Sequence, residues 1–207
     1  MLFVSSVKVN GETSPPGKAF IESDRSMPVD FYGLSKLEAE DGLRDIARQT
    51  GLELVIIRPP LVYGPGVTAN FAALVRAVKR GLPLPLAAVH NQRSLVGLDN
   101  LVNFLITCAT HSQAAGNTFF VSDGQDCSTP ELVRRMADAA QVPARLFQVP
   151  VRMLEAGAML VGRREVVRRL CGNLQVDISK ARSMLGWLPP FSVDEGLRRT
   201  VEATATL

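Results

Sequence analysis

The chain of 207 residues is 46% hydrophobic and 21% charged, which is typical of one globular domain with at most a small second lobe. Its net charge of +3 is too weak and too dispersed to indicate a nucleic-acid partner, although it suits an anionic small molecule. Three widely separated cysteines argue against a disulfide framework and a metal site, and they predict reduced thiols in the cytoplasm.

A short apolar run at residues 2–4 opens the chain and predicts a strand that ends at Ser5 and Ser6. Hydroxyl groups at the carboxyl end of a strand lie where open α/β sheets place their active-site groups. Residues 10–28 are rich in Gly, Pro and Ser, and a loop of this length favours a functional role. The start lacks the basic leader of a signal peptide, and no stretch has the roughly 18 apolar residues of a membrane span.

A helix is expected from Asp30 to Thr50, because apolar residues recur along one stripe and Gly51 follows as a terminator. It carries Tyr32 and Lys36, whose spacing of four residues puts them on one face. The lysine ammonium can favour the tyrosine phenolate, which would make the tyrosine a general acid and base. A half-exposed tyrosine beside a solvated lysine is the alternative interpretation of this pair.

Beyond this helix, predicted strands and helices alternate. The strands are expected at residues 52–57, 93–98, 117–122 and 145–149. The helices are expected at residues 69–80, 99–111 with Asp99 as the N-cap, 129–141, 177–185 and 193–203, with a turn at 62–66. This alternation predicts a doubly wound parallel sheet of the α/β class. We expect residues 1–145 to form the sheet domain and residues 146–207 a smaller, mainly helical lobe interleaved with it.

Several motifs of the chain occur in a characteristic order. They are Ser5-Ser6, Tyr32-x-x-x-Lys36 and residues 58–66 (RPPLVYGPG), with further stretches at 93–102 and 185–190. In this order they resemble the extended short-chain dehydrogenase/reductase family, in particular its NAD-dependent sugar-nucleotide epimerases and dehydratases. The resemblance covers the chain from its first residue to its end. It implies part of a Rossmann-like sheet, with a C-terminal lobe that binds the substrate.

The resemblance implies catalytic roles for Ser6, Tyr32 and Lys36. Tyr32 would take the proton of a sugar hydroxyl and return it afterwards, while Lys36 would hold the nicotinamide ribose and favour the phenolate. Both would therefore also belong to the cofactor-binding residues. Ser6 would orient the reacting oxygen, with Ser5 beside it at the cofactor. Ordinary hydrogen bonding at a strand end is the alternative interpretation of the two serines.

Further contacts follow from the same resemblance. The backbone beyond the Arg58 strand end would contact the nicotinamide at Pro59 and Val62. Asn70 and Arg93 would reach the substrate diphosphate, since a guanidinium fork suits phosphate, and a surface ion pair is the alternative for Arg93. Four arginines either help to bind an anionic substrate or form the solvated face of a helix: Arg163, Arg164, Arg168 and Arg169.

The function implied by the resemblance is that of an enzyme for a nucleotide-diphosphate sugar, with NAD as the cofactor and NADP as an alternative. Epimerases and 4-keto reductases share the Ser/Tyr/Lys set, so both stay open, and surface polysaccharide biosynthesis is the expected setting. Dehydratases usually add an acidic pair near the serine. Here Val7-Lys8-Val9 follows Ser6, which makes a dehydratase the least favoured. A homodimer of the full-length parent is compatible with the family.

Two features depart from the family pattern. Val9-Asn10-Gly11 stands where the family usually has Val-Tyr-Gly, which leaves the sugar specificity of this loop open. The family's glycine turn for the pyrophosphate, in roughly its first 100 residues, has no counterpart in this chain. We therefore expect the chain alone to be inactive or weakly active. The alternative is a truncated, non-catalytic fragment, or a sugar-nucleotide-binding remnant that needs a partner chain.

Overall fold

The computed structural model describes residues 1–160, 162 and 164–204. The strands within this range are β1 (Leu2–Val4), β2 (Val55–Arg58), β3 (Leu61–Tyr63), β4 (Leu95–Gly97) and β5 (Thr118–Phe120). The helices are α1 (Phe31–Thr50), α2 (Ala69–Lys79), α3 (Leu98–Thr110), α4 (Thr129–Ala139), α5 (Val151–Leu160), α6 (Arg164–Cys171), α7 (Ser179–Leu185) and α8 (Val193–Ala203), with a 3₁₀ helix at Val7–Val9. None of these helices is long and apolar enough to cross a bilayer.

Three strands form a parallel sheet in the order β1-β2-β5, and β3 and β4 form a second, two-stranded parallel sheet. In the larger sheet Phe3 lies beside Ile56, and Ile57 lies beside Phe119. Leu2 packs against a hydrophobic cluster that includes α3, whereas the ring of Phe3 lies 5.0 Å from Nζ of Lys36 on α1. Because successive side chains of a strand point to opposite faces, α1 and α3 cover opposite faces of the sheet. The predicted α/β class with a partial, doubly wound parallel sheet is confirmed.

The long helix α1 begins and ends as its sequence predicts. Asp30 is the N-cap, and its side chain accepts a hydrogen bond from the Gly33 amide at 2.7 Å. Gly51 ends the helix in the left-handed conformation, with φ of 72°. A Cβ at Gly33 would lie 2.7 Å from the carbonyl oxygen of Lys8, so glycine is required where α1 touches the 3₁₀ helix.

Buried side chains form two clusters. The first lies on the α3 side of the sheet and includes Ile57, Phe104, Phe119, Val176 and Trp187. The second joins α2, α4 and α8 and includes Tyr63, Phe71, Met136, Val193 and Leu197. Residues from the last third of the chain therefore contribute to both clusters. A domain boundary between residues 145 and 146 stays a prediction.

The N-terminus of α3 differs from the prediction. Gly97, the last residue of β4, is the N-cap, and no side chain caps the helix. Asp99 lies in the first turn instead, where it accepts a 2.6 Å hydrogen bond from Arg199 of α8. The reason is that α3 begins at Leu98, directly after β4 ends at Gly97. Asp99 is therefore the second residue of the helix and not the residue before it.

Two other expectations about strands were wrong. Residues 145–149 form only an isolated bridge, between Leu84 and Leu146. Their neighbouring segment contains Pro83 and Pro85, which have no N–H to extend a ladder. Conversely, the expected turn at 62–66 begins with a strand, because Leu61–Tyr63 pairs in parallel with β4 before Gly64.

Candidate active site

Tyr32 and Lys36 lie together on the first turns of α1, as their spacing predicts. Nζ of Lys36 is 5.9 Å from the centre of the Tyr32 ring. The same ammonium donates a 3.0 Å hydrogen bond to the carbonyl oxygen of Val4, the last residue of β1. Tyr32 is 51% exposed, so its hydroxyl-bearing ring faces an open side of the protein. The lysine therefore links the tyrosine to the carboxyl end of β1.

The two serines after β1 have different environments. Ser6 is the N-cap of the 3₁₀ helix, where its hydroxyl oxygen accepts a 3.2 Å hydrogen bond from the Lys8 amide. Ser5 is buried, and its hydroxyl donates a 2.5 Å hydrogen bond to Oε1 of Glu40. Ser6 is therefore half-buried with its hydroxyl at the start of the 3₁₀ helix, whereas the hydroxyl of Ser5 is committed to a buried carboxylate.

The Glu40 carboxylate is fully buried, and sequence analysis did not single it out. It accepts hydrogen bonds from Nε and Nη2 of Arg58 at 2.8 and 2.5 Å, and from Arg44 at 2.8 Å. Arg58 also donates to Asn10 at 2.9 Å. Burial alone would raise the pKa of Glu40, but the hydrogen bonds from Arg58 and Ser5 outweigh it and hold that pKa below its ordinary value.

A signal for this network was present in the sequence. Tyr32, Lys36 and Glu40 follow one another at intervals of four, so all three lie on one face of α1. The face that brings Tyr32 and Lys36 to the end of β1 also brings Glu40 against Ser5 and the last residue of β2, Arg58.

A second ammonium lies beside Tyr32. Nζ of Lys8 is 5.8 Å from the centre of the tyrosine ring. It is paired with the carboxylates of Asp30 and, at 3.2 Å, Glu12. Glu12 is in turn 3.5 Å from a guanidinium nitrogen of Arg169 on α6. The alternating charges of Lys8, Glu12 and Arg169 thus connect the surroundings of the tyrosine to helix α6.

Pro59 and Val62 follow the end of β2, where the sequence placed a cofactor contact. Pro59 is buried, and its carbonyl oxygen accepts a 3.0 Å hydrogen bond from the Val7 amide. This bond joins the backbone after β2 to the backbone after Ser6. Val62 is half-buried in β3 and packs against the first cluster. The structure thus brings Ser6, Tyr32, Lys36 and Pro59 to one end of the larger sheet.

Asn70 and Arg93 lie on other elements. Asn70 is exposed in the first turn of α2, whose N-cap residue Thr68 makes no side-chain cap bond. Nη1 of Arg93 donates to the carbonyl oxygens of Arg169 and Gly172 at 2.7 and 2.9 Å.

No carboxylate pairs with Arg93 among the residues described, so the surface ion pair considered as its alternative is not found there. Burial, together with the charge of Arg169, lowers the pKa of Arg93 to about 10. The arginines of α6, Arg164, Arg168 and Arg169, are exposed, and Arg163 lies outside the described residues.

A second buried carboxyl group, that of Asp123, lies beyond the end of β5. It accepts hydrogen bonds from the Tyr63 hydroxyl at 2.7 Å, from Asn100 at 2.7 Å and from the Gly97 amide at 2.9 Å. Burial raises the pKa of Asp123, and burial together with the Asp123 charge raises that of Tyr63. The Tyr63 hydroxyl oxygen also lies 3.3 Å from the carbonyl oxygen of Val193, so this group connects both sheets to α8. No described group of His, Cys, Asp and Glu side chains could hold a metal ion.

The fold and the order of these residues define a family. The chain belongs to the NAD-dependent epimerase/dehydratase family, whose sequence pattern matches residues 1–121. The chain is 47% identical to a UDP-glucose 4-epimerase of Vibrio cholerae over 203 residues, which are 98% of this chain and 62% of that relative.

Solved structures share the fold. RMD from Pseudomonas aeruginosa, complexed with NADPH, gives a TM-score of 0.77 at 22% identity, covering all of this chain and 66% of that one. UDP-glucuronic acid 4-epimerase from Bacillus cereus, in complex with NAD, gives 0.77 at 19% identity, covering 99% of this chain and 61% of that one. The chain therefore spans somewhat over three-fifths of the length of the proteins it matches.

Proposed function

We propose that the chain is the substrate-side part of an NAD-dependent sugar-nucleotide 4-epimerase. The observation that carries this proposal is the grouping of Tyr32, Lys36 and Ser6 at the end of the β1-β2-β5 sheet. Tyr32 takes the proton of a sugar hydroxyl and returns it, and Ser6 holds the reacting oxygen by a hydrogen bond. The ammonium of Lys36 stabilises the phenolate form of the tyrosine, which exists before the proton is taken and again after it is returned.

The residues present fit the nicotinamide end of NAD. An ammonium has three donors, and Lys36 uses one of them on the Val4 carbonyl, which leaves two for ribose hydroxyls. Pro59 and Val62, which follow the end of β2, supply apolar side chains that are buried and half-buried. When bound, NAD supplies the hydride acceptor. The residues of this chain position the sugar and move the proton.

The diphosphate of the substrate is assigned to Arg93 and Asn70. Arg93 is a half-buried cation without a carboxylate partner in the described part of the chain, and a diphosphate would compensate its charge. Asn70 adds a side-chain donor at the start of α2, where helix amides favour anions. The relative of Vibrio cholerae is a UDP-glucose 4-epimerase, which favours a UDP-hexose and an epimerase over a 4-keto reductase.

A second candidate is a sugar-nucleotide-binding fragment without catalysis. The glycine-rich turn that holds a dinucleotide pyrophosphate does not occur in these 207 residues. NAD would then bind this chain only through its nicotinamide end. We also propose that the protein acts in surface polysaccharide synthesis and that a full-length parent would form a homodimer.

The test is an epimerase assay with UDP-glucose and a large excess of NAD, in which NMR detects UDP-galactose. The 4-epimerase proposal expects slow turnover that Tyr32→Phe abolishes, with binding of UDP-glucose retained. Binding of UDP-glucose without turnover would favour the non-catalytic fragment. A folded chain that binds neither UDP nor UDP-glucose would contradict both candidates.

A further inference from the structure

The proposed mechanism uses one of the two lysines at Tyr32. Nζ of Lys8 and of Lys36 are 5.8 and 5.9 Å from the centre of the same exposed ring. Lys36 belongs to α1 itself, whereas Lys8 is part of the 3₁₀ helix that Ser6 caps. Lys8 therefore reaches Tyr32 from the 3₁₀ helix that follows Ser6, whereas Lys36 reaches the same ring from α1.

The ammonium of Lys8 is held by two carboxylates. Glu12 and Asp30 each accept one of its hydrogen bonds. Both acceptors are themselves fixed, since Asp30 caps α1 through the Gly33 amide and Glu12 lies 3.5 Å from Arg169. A lysine ammonium has three donors, so one N–H of Lys8 has no partner among the residues described. An ammonium fixed in this way directs its remaining donor with little loss of side-chain entropy on binding.

We propose that Lys8 is a further substrate-binding residue, which donates its third N–H to an oxygen of the hexose held against Tyr32. This inference rests on the proposed function. A cation at this position suits a hydroxyl or keto oxygen as its partner. Lys8 would thereby help to select sugars that present an acceptor oxygen at this position.

The test compares the binding of UDP and UDP-glucose to the full chain by titration calorimetry. The first variant is Lys8→Gln, whose amide has two N–H donors, enough for Glu12 and Asp30 but none for the sugar. We expect it to lose about tenfold in affinity for UDP-glucose and to bind UDP as the wild type does. Lys18→Gln, at an exposed lysine, is the matched control and should bind both nucleotides normally.

Circular dichroism checks that each variant is folded, and Lys8→Met provides a second variant if the first is not. Unchanged UDP-glucose affinity in the folded Lys8 variant would overturn the proposal, and so would an equal loss for UDP and UDP-glucose. If the wild-type chain binds UDP and UDP-glucose equally well, the sugar adds nothing to the affinity. That result would overturn the role of Lys8 but would not contradict the proposed diphosphate site. Wild-type chain that binds neither would overturn the proposed function, and with it this inference.

Discussion

A single carboxylate, that of Glu40, joins three segments of the candidate site. Ser5 precedes Ser6 in the chain, Arg58 precedes Pro59, and Glu40 itself lies one helical turn beyond Lys36. A buried charge is costly unless it is paired and hydrogen-bonded, and here each carboxylate oxygen accepts two hydrogen bonds. Removing this carboxylate would leave the Arg58 guanidinium buried without its counter-charge.

We expect Glu40→Gln to lower the free energy of unfolding by about 3 kcal/mol, because breaking a buried pair leaves one charge uncompensated. Urea denaturation measures this loss. Glu38→Gln, at an exposed glutamate on the same helix, should change stability by less than about 0.5 kcal/mol. The double variant Glu40→Met/Arg58→Met should recover much of the loss, and a Glu40→Gln protein as stable as the wild type would contradict this account of the network.

The pH dependence of stability follows from the same group. The pKa of Glu40 is lowered in the folded protein from its ordinary value of 4.5. The unfolded chain therefore binds the proton more readily, so the stabilisation is complete above about pH 4.5 and is lost as pH falls through the folded-state pKa. Thermal melts between pH 7 and pH 3 should show a steeper decline for the wild type than for Glu40→Gln. If the melting temperatures of the two proteins declined equally with pH, other carboxylates would dominate the pH dependence of stability.

Spacing along one helix made part of the site predictable from sequence. Tyr32 and Lys36 needed only the four-residue interval and a motif to be singled out. The pairing of Glu40 with Arg58 depends on how α1 lies across the sheet, which no local pattern contains. Which face of the sheet the Ser5 side chain lies on depends on the alternation of side chains along β1. This strand has three residues, too few for the sequence pattern to show which face is buried.

At the scale of elements, the contact between α1 and the 3₁₀ helix sets the position of Lys8 and Ser6 against Tyr32. The two helices approach so closely at Gly33 that an added methyl group would meet backbone, not a flexible side chain. Asp30 strengthens this junction, because it both caps α1 and pairs with Lys8. The geometry of the site therefore depends on one glycine and one cap residue.

Gly33→Ala should destabilise the protein by about 2 kcal/mol, since the new Cβ would lie 2.7 Å from the Lys8 carbonyl oxygen. Gly42→Ala is the matched control on the same helix. It meets nothing within 4 Å, so it should stabilise the protein by about 0.5–1 kcal/mol through better helix propensity. Chemical denaturation of both variants checks the pair, and an equal effect of the two substitutions would exclude a close contact at Gly33.

The strands that sequence analysis missed or misplaced are all short and depend on their neighbours. Leu61–Tyr63 is three residues between Pro60 and Gly64, and it becomes a strand because β4 lies beside it. Residues 145–149 have a strand-like composition, but their neighbour contains prolines and allows only a single bridge. Helices such as α1 were better defined by their sequences, because caps and periodicity act within one segment.

At the scale of the whole molecule, β1 is an edge strand of the larger sheet among the residues described. β1 pairs only with β2 in the part of the chain that is described. Beside this sheet, α3 exposes Leu98, Val102 and Ile106, which are spaced four residues apart and so form one stripe. An open strand edge and an exposed apolar stripe favour association with other chains.

We therefore expect the isolated chain to self-associate at micromolar concentration, unless a partner covers this surface. Sedimentation velocity measures the distribution of species. Ile106→Lys, at the most exposed position of the apolar stripe on α3, should shift that distribution towards monomer. Thr107→Lys adds the same charge to the neighbouring, half-buried position and should have less effect. A sharp, cooperative melt of a monomeric wild type would contradict the expected association.

The environments of the two tyrosines make the candidate site accessible to selective chemical modification. The chain has two tyrosines in all. Tyr63 is buried, at 1% exposure, and its hydroxyl donates a hydrogen bond to Asp123, whereas Tyr32 is half-exposed. A reagent that modifies accessible phenol rings should therefore react with Tyr32 of the folded chain and spare Tyr63. The rate of this modification would report on the surroundings of the proposed catalytic group, and ligands or Lys8 variants can be followed through it without turnover.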